Sequence, residues 1–355
     1  MSEKFCAYSE IESVSRQKFI DLIKEKGFTD PSIQWTASIK VDGAQFSIYV
    51  YPDGKIRYSR RNALLKENEG FYNYQEAVKA DNLEPKSVQI RKILIEKGLI
   101  TESSTIIICG ELFGGSYNHP DVPKSKFKGI QSRIQYAPGI HFYCFDIMIE
   151  KDGNFVYIDD NIVTEVCNAV QMTSHYVVKI GTFDECMAVP NNTPDPIGVE
   201  YYGLPPIENN IIEGIVIKPV HPIVYDEQRI ILKNKNEIFE EKINKKQEKP
   251  KKSDPKSNFT EKELEIYGHK MEYVTESRIC SVVSKIGEIT KKDFMKLRNE
   301  FLNDATKDFL KDYGEEIAKL PKKEYDHAKV DKIFANDVTQ WIRPHFAKYM
   351  SATDK

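Results

Sequence analysis

The chain has 355 residues, 40% of them hydrophobic and 30% charged, which is ordinary for a water-soluble folded protein and long enough for two domains. No apolar run approaches the roughly 18 residues of a membrane span, and the start, MSEKFCAYSE, lacks the apolar stretch of a secretory signal. The expectation is therefore an intracellular protein, cytoplasmic or nuclear, a monomer without membrane contact, whose six cysteines are reduced and form no CxxC pair. Net charge is only −3, but residues 241–355 carry 25 Lys and Arg against 21 Asp and Glu, so the C-terminal third is basic while the rest is acidic.

In chain order, Val14–Lys26 reads as a helix ended by Gly27. Gln34–Arg61 reads as a β-hairpin: Phe46, Ile48 and Val50 alternate with polar or smaller residues, Pro52-Asp53-Gly54 is a turn, and Ile56 and Tyr58 resume the alternation. A helix is expected from Gln75–Lys79 onward. Further strands are expected at Thr105–Cys109, His141–Ile149, Ile211–Lys218 and Arg229–Lys235, all rich in Ile, Val, Phe and Tyr. Residues 1–240 thus form an α+β domain. Residues 241–260, with seven lysines, two prolines and no glycine, read as a solvated linker. Beyond it, Phe294, Leu297, Phe301, Ala305 and Phe309 recur at helical spacing, so residues 261–355 form a helical domain. Gly287 and Gly314 are candidate helix stops, with Pro321 and Pro344 near other boundaries. Arg278, Lys285 and Arg298 are expected on its surface, as candidates for duplex contact.

Six short segments carry the chemistry: Lys40-Val41-Asp42-Gly43, Ser59-Arg60-Arg61-Asn62, Gly110-Glu111-Leu112-Phe113-Gly114, Phe142–Ile147, Glu213-Gly214-Ile215-Val216-Ile217-Lys218 and Lys233-Asn234-Lys235. Each is weak alone; their order and spacing make a strong signal. K-x-D-G resembles the nucleophile motif of the covalent nucleotidyltransferases, which include ligases and capping enzymes. The remaining segments are similar to those of the RNA ligase 2 family, which includes phage ligases and kinetoplastid editing ligases. That resemblance implies an α+β nucleotidyltransferase (ATP-grasp-like ligase) domain of antiparallel sheets with flanking helices, followed by a small all-helical domain. It implies an ATP-dependent RNA ligase that joins 3′-OH and 5′-phosphate ends, with RNA, a nicked duplex included, as partner.

The resemblance places AMP on Lys40 and puts Ile39, Gln45, Phe145 and Glu111 in the nucleotide pocket. Phe145 would stack on the base. Glu111 would take the ribose hydroxyls with Arg61, Arg60 being the neighbouring alternative. Where the family has Asn, this chain has Gln45. An amine attacks phosphorus only when neutral, and nearby cations favour that form. Lys218, Lys233 and Lys235 are the expected cations, and they would also bind phosphate. Lys233 and Lys235, two apart, would share a strand face. The charge of ATP calls for Mg²⁺ or Mn²⁺, with Glu213 as the metal-associated carboxylate. Glu213 and Lys218 can reach one site only if the strand is irregular at Gly214. A capping guanylyltransferase and a DNA ligase use the same lysine chemistry, but the latter normally adds an OB-fold, which the helical pattern after residue 260 does not fit. A non-catalytic binder would most simply have lost Lys40.

Overall fold

Alternation from Gln34 to Arg61 does build strands, but three of them, on two sheets. The computed structural model describes residues 4–67, 69–242 and 255–350. It begins with β1 (Glu12–Ser13) and α1 (Gln17–Glu25), followed by β2 (Trp35–Lys40), β3 (Ala44–Val50) and β4 (Ile56–Arg60). The expected hairpin is β3–β4, closed at the Pro52-Asp53-Gly54 turn by Tyr51 N–H donating to Lys55 C=O. Strand β2 belongs to the other sheet, so the chain changes sheets over Val41–Gly43, immediately after Lys40.

There follow β5 (Ala63–Leu64), α2 (Tyr74–Ala80), α3 (Leu83–Glu96), β6 (Ile106–Ser116), β7 (Ala137–Lys151), β8 (Asn154–Tyr157), α4 (Asp160–Ala169) and β9 (Val177–Gly181). Then come α5 (Phe183–Met187), α6 (Ile197–Tyr202), β10 (Gly214–Pro219), β11 (Val224–Tyr225), β12 (Gln228–Arg229) and β13 (Leu232–Lys235). One sheet is six-stranded and antiparallel, in the order β5-β4-β3-β6-β7-β8; the second has the order β1-β13-β10-β2-β9, with only β1/β13 parallel. The period of two along β3 decides the layering. Phe46, Ile48 and Val50 pack on the helices through Ala77, Leu83, Ile90, Leu94 and Val163. Tyr49 turns the other way, joining Ile107, Cys109 and Met148 against Tyr8, Ile231 and Val216. The two sheets therefore face one another across this second cluster.

Residues 1–236 form one unit and residues 237–355 another. The second contains α7 (Glu261–Met271), α8 (Glu276–Ile286), α9 (Phe294–Ile317) and α10 (His327–Tyr349). Leu297, Phe301, Ala305 and Phe309 are buried in its core, as the helical spacing requires, and Gly287 caps α8. Two expected boundaries differ. Gly314 lies inside α9 and Pro344 inside α10. A helix-interior glycine costs only ~1 kcal/mol, and the buried stripes, including Phe334, Val338 and Ile342 on α10, carry both helices past these residues. Arg278, expected on the surface, is 1% exposed and is held by Asp304, Asp308 and the carbonyl of Tyr273. Lys285 pairs with Asp304 and Arg298 donates to the Thr339 hydroxyl. Most of the lysine-rich 241–260 segment lies outside the described residues. All six cysteines are free, and no described helix is long and apolar enough to cross a membrane.

Candidate active site

Lys40 is the last residue of β2. It stands opposite Gly214 of β10, which stands opposite Lys235 of β13. Directly opposed residues of antiparallel strands point to the same side. Lys40 and Lys235 therefore share a face with Lys233, opposite Val216, and with Lys218, opposite Thr36. At one end of that face a single carboxylate bridges two ammonium groups: Glu213 Oε2 lies 2.6 Å from Lys40 Nζ, and Oε1 lies 3.1 Å from Lys235 Nζ. Burial alone would raise the Glu213 carboxyl, but Lys40 and Lys235 outweigh it and hold it below its usual value. Glu213 precedes β10 and reaches Lys40 because the strand starts irregularly. Gly214 has φ +157°, and a Cβ there would come within 2.2 Å of Asn234 O. Only glycine lets β10 begin this close to β13.

Lys218 occupies the other end of the face. Its Nζ lies 2.9 Å from Asp146 Oδ1 and 2.8 Å from Asp160 Oδ1, and donates to Phe145 O at 2.8 Å. Arg229 donates to both oxygens of Asp146, Tyr8 OH donates to one of them, and His175 meets Asp160. This corrects the expected grouping of three cations around Lys40. Lys218 lies four residues further along the paired strands, with its charge matched by two carboxylates at 3% side-chain exposure. Burial would depress its ammonium, yet Asp146 and Asp160 hold it above the usual lysine range. Burial would likewise raise Asp160, but Lys218 and His175 keep it at about 2.

Beside Lys40, the glycine of K-x-D-G allows the chain to lie on β6: a Cβ at Gly43 would meet Leu112 O at 2.1 Å. Asp42 and Glu111 are consequently neighbours of Lys40 and Glu213. Burial, reinforced by the charge of Glu213, pushes Asp42 up to about 7 against the pull of Lys40, Lys235 and Arg133. Burial also pushes Glu111 up to about 8, despite Lys40, with Glu213 and Asp42 adding to the rise and Arg61 opposing it. Among the described residues neither carboxylate makes a hydrogen bond or ion pair. Gln45 is paired with Glu111 across β3/β6, and its Oε1 accepts from Arg61 Nη1 at 2.7 Å. Arg61, Gln45 and Glu111 thus form one edge of the site. Arg60 does not join them: it pairs with Phe46, on the helix-covered face, and its Nε lies 3.5 Å from Glu69.

Phe145 is half-buried and is the extra residue of a β-bulge, since the β6/β7 register shifts between Cys109 and Gly110. A bulge re-aims the side chain it carries, and this ring lies edge-on to Tyr8, centroids 5.0 Å apart. Ile39 is 4% exposed and faces away from Lys40; its C=O accepts from Tyr143 OH and its N–H donates to Tyr176 O. Both main-chain polar groups of Ile39 thus have partners within the protein. Sequence reasoning gave no role to Asp42, although it lies inside the nucleophile motif. It also missed Arg133, Tyr136, Asp160 and Arg229, none of which stands in a recognisable motif.

The half-buried Glu111, unpartnered among the described residues, could accept from the hydroxyls of a nucleotide ribose. Lys40 and Lys235 suit phosphate oxygens, and the oxygens of Glu213 suit a hard divalent cation that keeps water and phosphate as its other ligands. The described acidic triad Glu241, Asp304 and Asp308 lies in the other unit around Arg278 and is explained by that cation.

The RNA ligase family model matches residues 33–235, and the T4 RNA ligase 2 C-terminal model matches residues 256–337. RNA-editing ligase 2, mitochondrial, of Trypanosoma brucei brucei is 28% identical over 373 residues, covering 89% of this chain and 86% of the relative. RNA-editing ligase 1, mitochondrial, of the same organism is 30% identical over 245 residues, covering 61% of this chain and 50% of the relative. A Naegleria gruberi RNA ligase mutant with AMP and Mn superposes with a TM-score of 0.42 at 15% identity, covering 66% of this chain and 57% of that one. With the family model spanning more than half of its residues, the chain belongs to the RNA ligase family, as an ATP-dependent ligase of the RNA ligase 2 type.

Proposed function

We propose that Lys40 takes AMP from ATP and passes it to the 5′-phosphate of an RNA, which a 3′-OH then attacks. The observation that carries this reading is the bridged Lys40–Glu213–Lys235 group beside two unpartnered carboxylates. In the first step the neutral Lys40 amine forms an N–P bond to the α-phosphorus and pyrophosphate leaves. Lys235, held by the same carboxylate, places a positive charge where it meets charge developing on the phosphate. Lys233 adds a cation on the same strand face. Glu111, with Arg61 and Gln45, accepts the ribose hydroxyls, and the bulged Phe145 offers its ring to the base. Lys218 acts at one remove, holding the carbonyl of Phe145 and the carboxylate of Asp146. When bound, Mg²⁺ or Mn²⁺ near Glu213 supplies neutralisation of phosphate charge.

In the second step the N–P bond breaks as an RNA 5′-phosphate oxygen takes the adenylyl group. In the third, the 3′-OH attacks the activated phosphate and AMP leaves. Within this reading a nicked RNA duplex, which presents a 5′-phosphate beside a 3′-OH, is the substrate we propose. Incubation with labelled ATP and Mg²⁺, then with nicked RNA and DNA duplexes, tests the reading. Label on wild-type protein but not on Lys40→Ala is expected, followed by sealing of the RNA nick. Labelling from GTP instead would point to a capping-type guanylyltransferase.

A further inference from the structure

The peptide that carries Lys40 is gripped on both sides by phenol hydroxyls. Before the lysine, Tyr143 OH donates to Ile39 C=O at 3.1 Å while accepting from Tyr176 N–H at 2.6 Å. After it, Tyr136 OH accepts from Asp42 N–H at 2.8 Å. These contacts fall where the strand ladders fail. The β2/β9 register shifts between Ala37 and Ser38 and pairing ends at Val177, so no strand partner takes the Ile39 carbonyl. Asp42 lies between β2 and β3, beyond either ladder. Both tyrosines are buried, at 0% and 2% exposure, and both stand edge-on to Phe113 of the Gly110–Gly114 motif, with centroids 5.3 and 6.2 Å apart. One aromatic group thus fixes the main chain at residues 39 and 42 from a single strand and its approach, 136–143.

We infer that Tyr136 and Tyr143 are positioning residues for the first chemical step, bracing the nucleophile-bearing turn so that Lys40 is held in line with the α-phosphorus. This rests on Lys40 being the adenylated residue. A buried backbone N–H or C=O needs a partner, and without one the turn relaxes. Displacement of a reacting group by about 1 Å can lower a rate by about 100-fold. Neither hydroxyl touches the substrate in this scheme, so binding of ATP is expected to change little.

The test compares Tyr136→Phe and Tyr143→Phe with wild type and with Tyr117→Phe. Tyr117 is also a buried tyrosine, at 4% exposure, but its hydroxyl donates to Pro205 O, away from the turn. Two rates are measured: self-adenylation over a range of ATP, and sealing of a chemically pre-adenylated nicked RNA, which needs no attack by lysine. The expected result is a roughly 10- to 100-fold fall in maximal adenylation rate for both variants. Their KM for ATP, melting temperature and sealing of the pre-adenylated nick should stay near wild type, and Tyr117→Phe should match wild type throughout. Adenylation at the wild-type rate would overturn the inference. So would an equal fall in both steps, which would mark a general structural role. Failure of the wild type itself to take AMP would instead overturn the assignment of Lys40.

Discussion

Two ion clusters on the same sheet face invite comparison. Strand β10 starts next to Glu213, which bridges Lys40 and Lys235, and nears its end at Lys218, which lies between Asp146 and Asp160. The far cluster is closed: Lys218, Asp146, Asp160 and Arg229 have side-chain exposures of 1–4%, and every charge has an opposite charge against it. The near cluster is open. Lys40 keeps 21% exposure, and Asp42 and Glu111 lie alongside without hydrogen-bond or ion-pair partners among the described residues. A closed ion network holds structure in place, whereas an open one is ready to exchange a partner for a ligand. Signature lysines are therefore not interchangeable, even when their side chains leave one sheet in the same direction.

The largest effect should come from breaking the closed cluster. Asp146→Asn leaves Arg229 and Lys218 short of a buried counter-charge, and such breaks cost about 3–5 kcal/mol; denaturant melts should show that loss, with activity falling because folded protein is lost. Lys235→Ala should do the reverse. Lys40 still satisfies Glu213, so stability should fall by less than in Asp146→Asn, while adenylation falls about 100-fold. Equal stability losses for the two variants would erase the distinction.

The comparison also has a pH signature. The Asp160 carboxyl is held at about 2 and Asp146 is also held below its usual value, so both release protons more readily in the folded state. Their contribution is present above the ordinary carboxylate value of about 4 and is lost as pH falls through the folded values. Acid titration of stability should show that loss beginning below pH ~4, and Lys218→Met should flatten it. Glu111 behaves oppositely. Raised to about 8, it keeps a proton in the folded protein that the unfolded chain has released above pH ~4.5, so its presence lowers stability as pH rises towards 8. Glu111→Gln should remove that slope and so raise stability at pH 8 relative to wild type, while weakening adenylation. A variant less stable than wild type at pH 8 would contradict it.

Sequence reasoning brought Lys40, Glu213 and Lys235 together, as the structure does, because motif spacing survives any fold that keeps strands paired. It recognised the β3–β4 turn because proline and glycine act locally. It missed the assignment of β2 to a second sheet, since alternation reports a strand but not its partner. It grouped Lys218 with Lys40 because the motif supplies a cation but not its partners: the positions of Asp146, Asp160 and Arg229 depend on contacts 72, 58 and 83 residues apart in sequence. Arg60 and Arg61 were inseparable until register put one opposite Phe46 and the other against Gln45. The stop expected at Gly314 failed, and α10 runs through Pro344, because tertiary burial outweighs local propensity.

The most direct test is to incubate the protein with ATP and Mg²⁺, digest it, and locate AMP by peptide mass, with Lys40→Ala and Lys218→Met in parallel. AMP on the peptide containing Lys40, none on Lys40→Ala, and retained labelling of whatever Lys218→Met remains folded is the predicted result. AMP on another lysine, or undiminished labelling of Lys40→Ala, would contradict it.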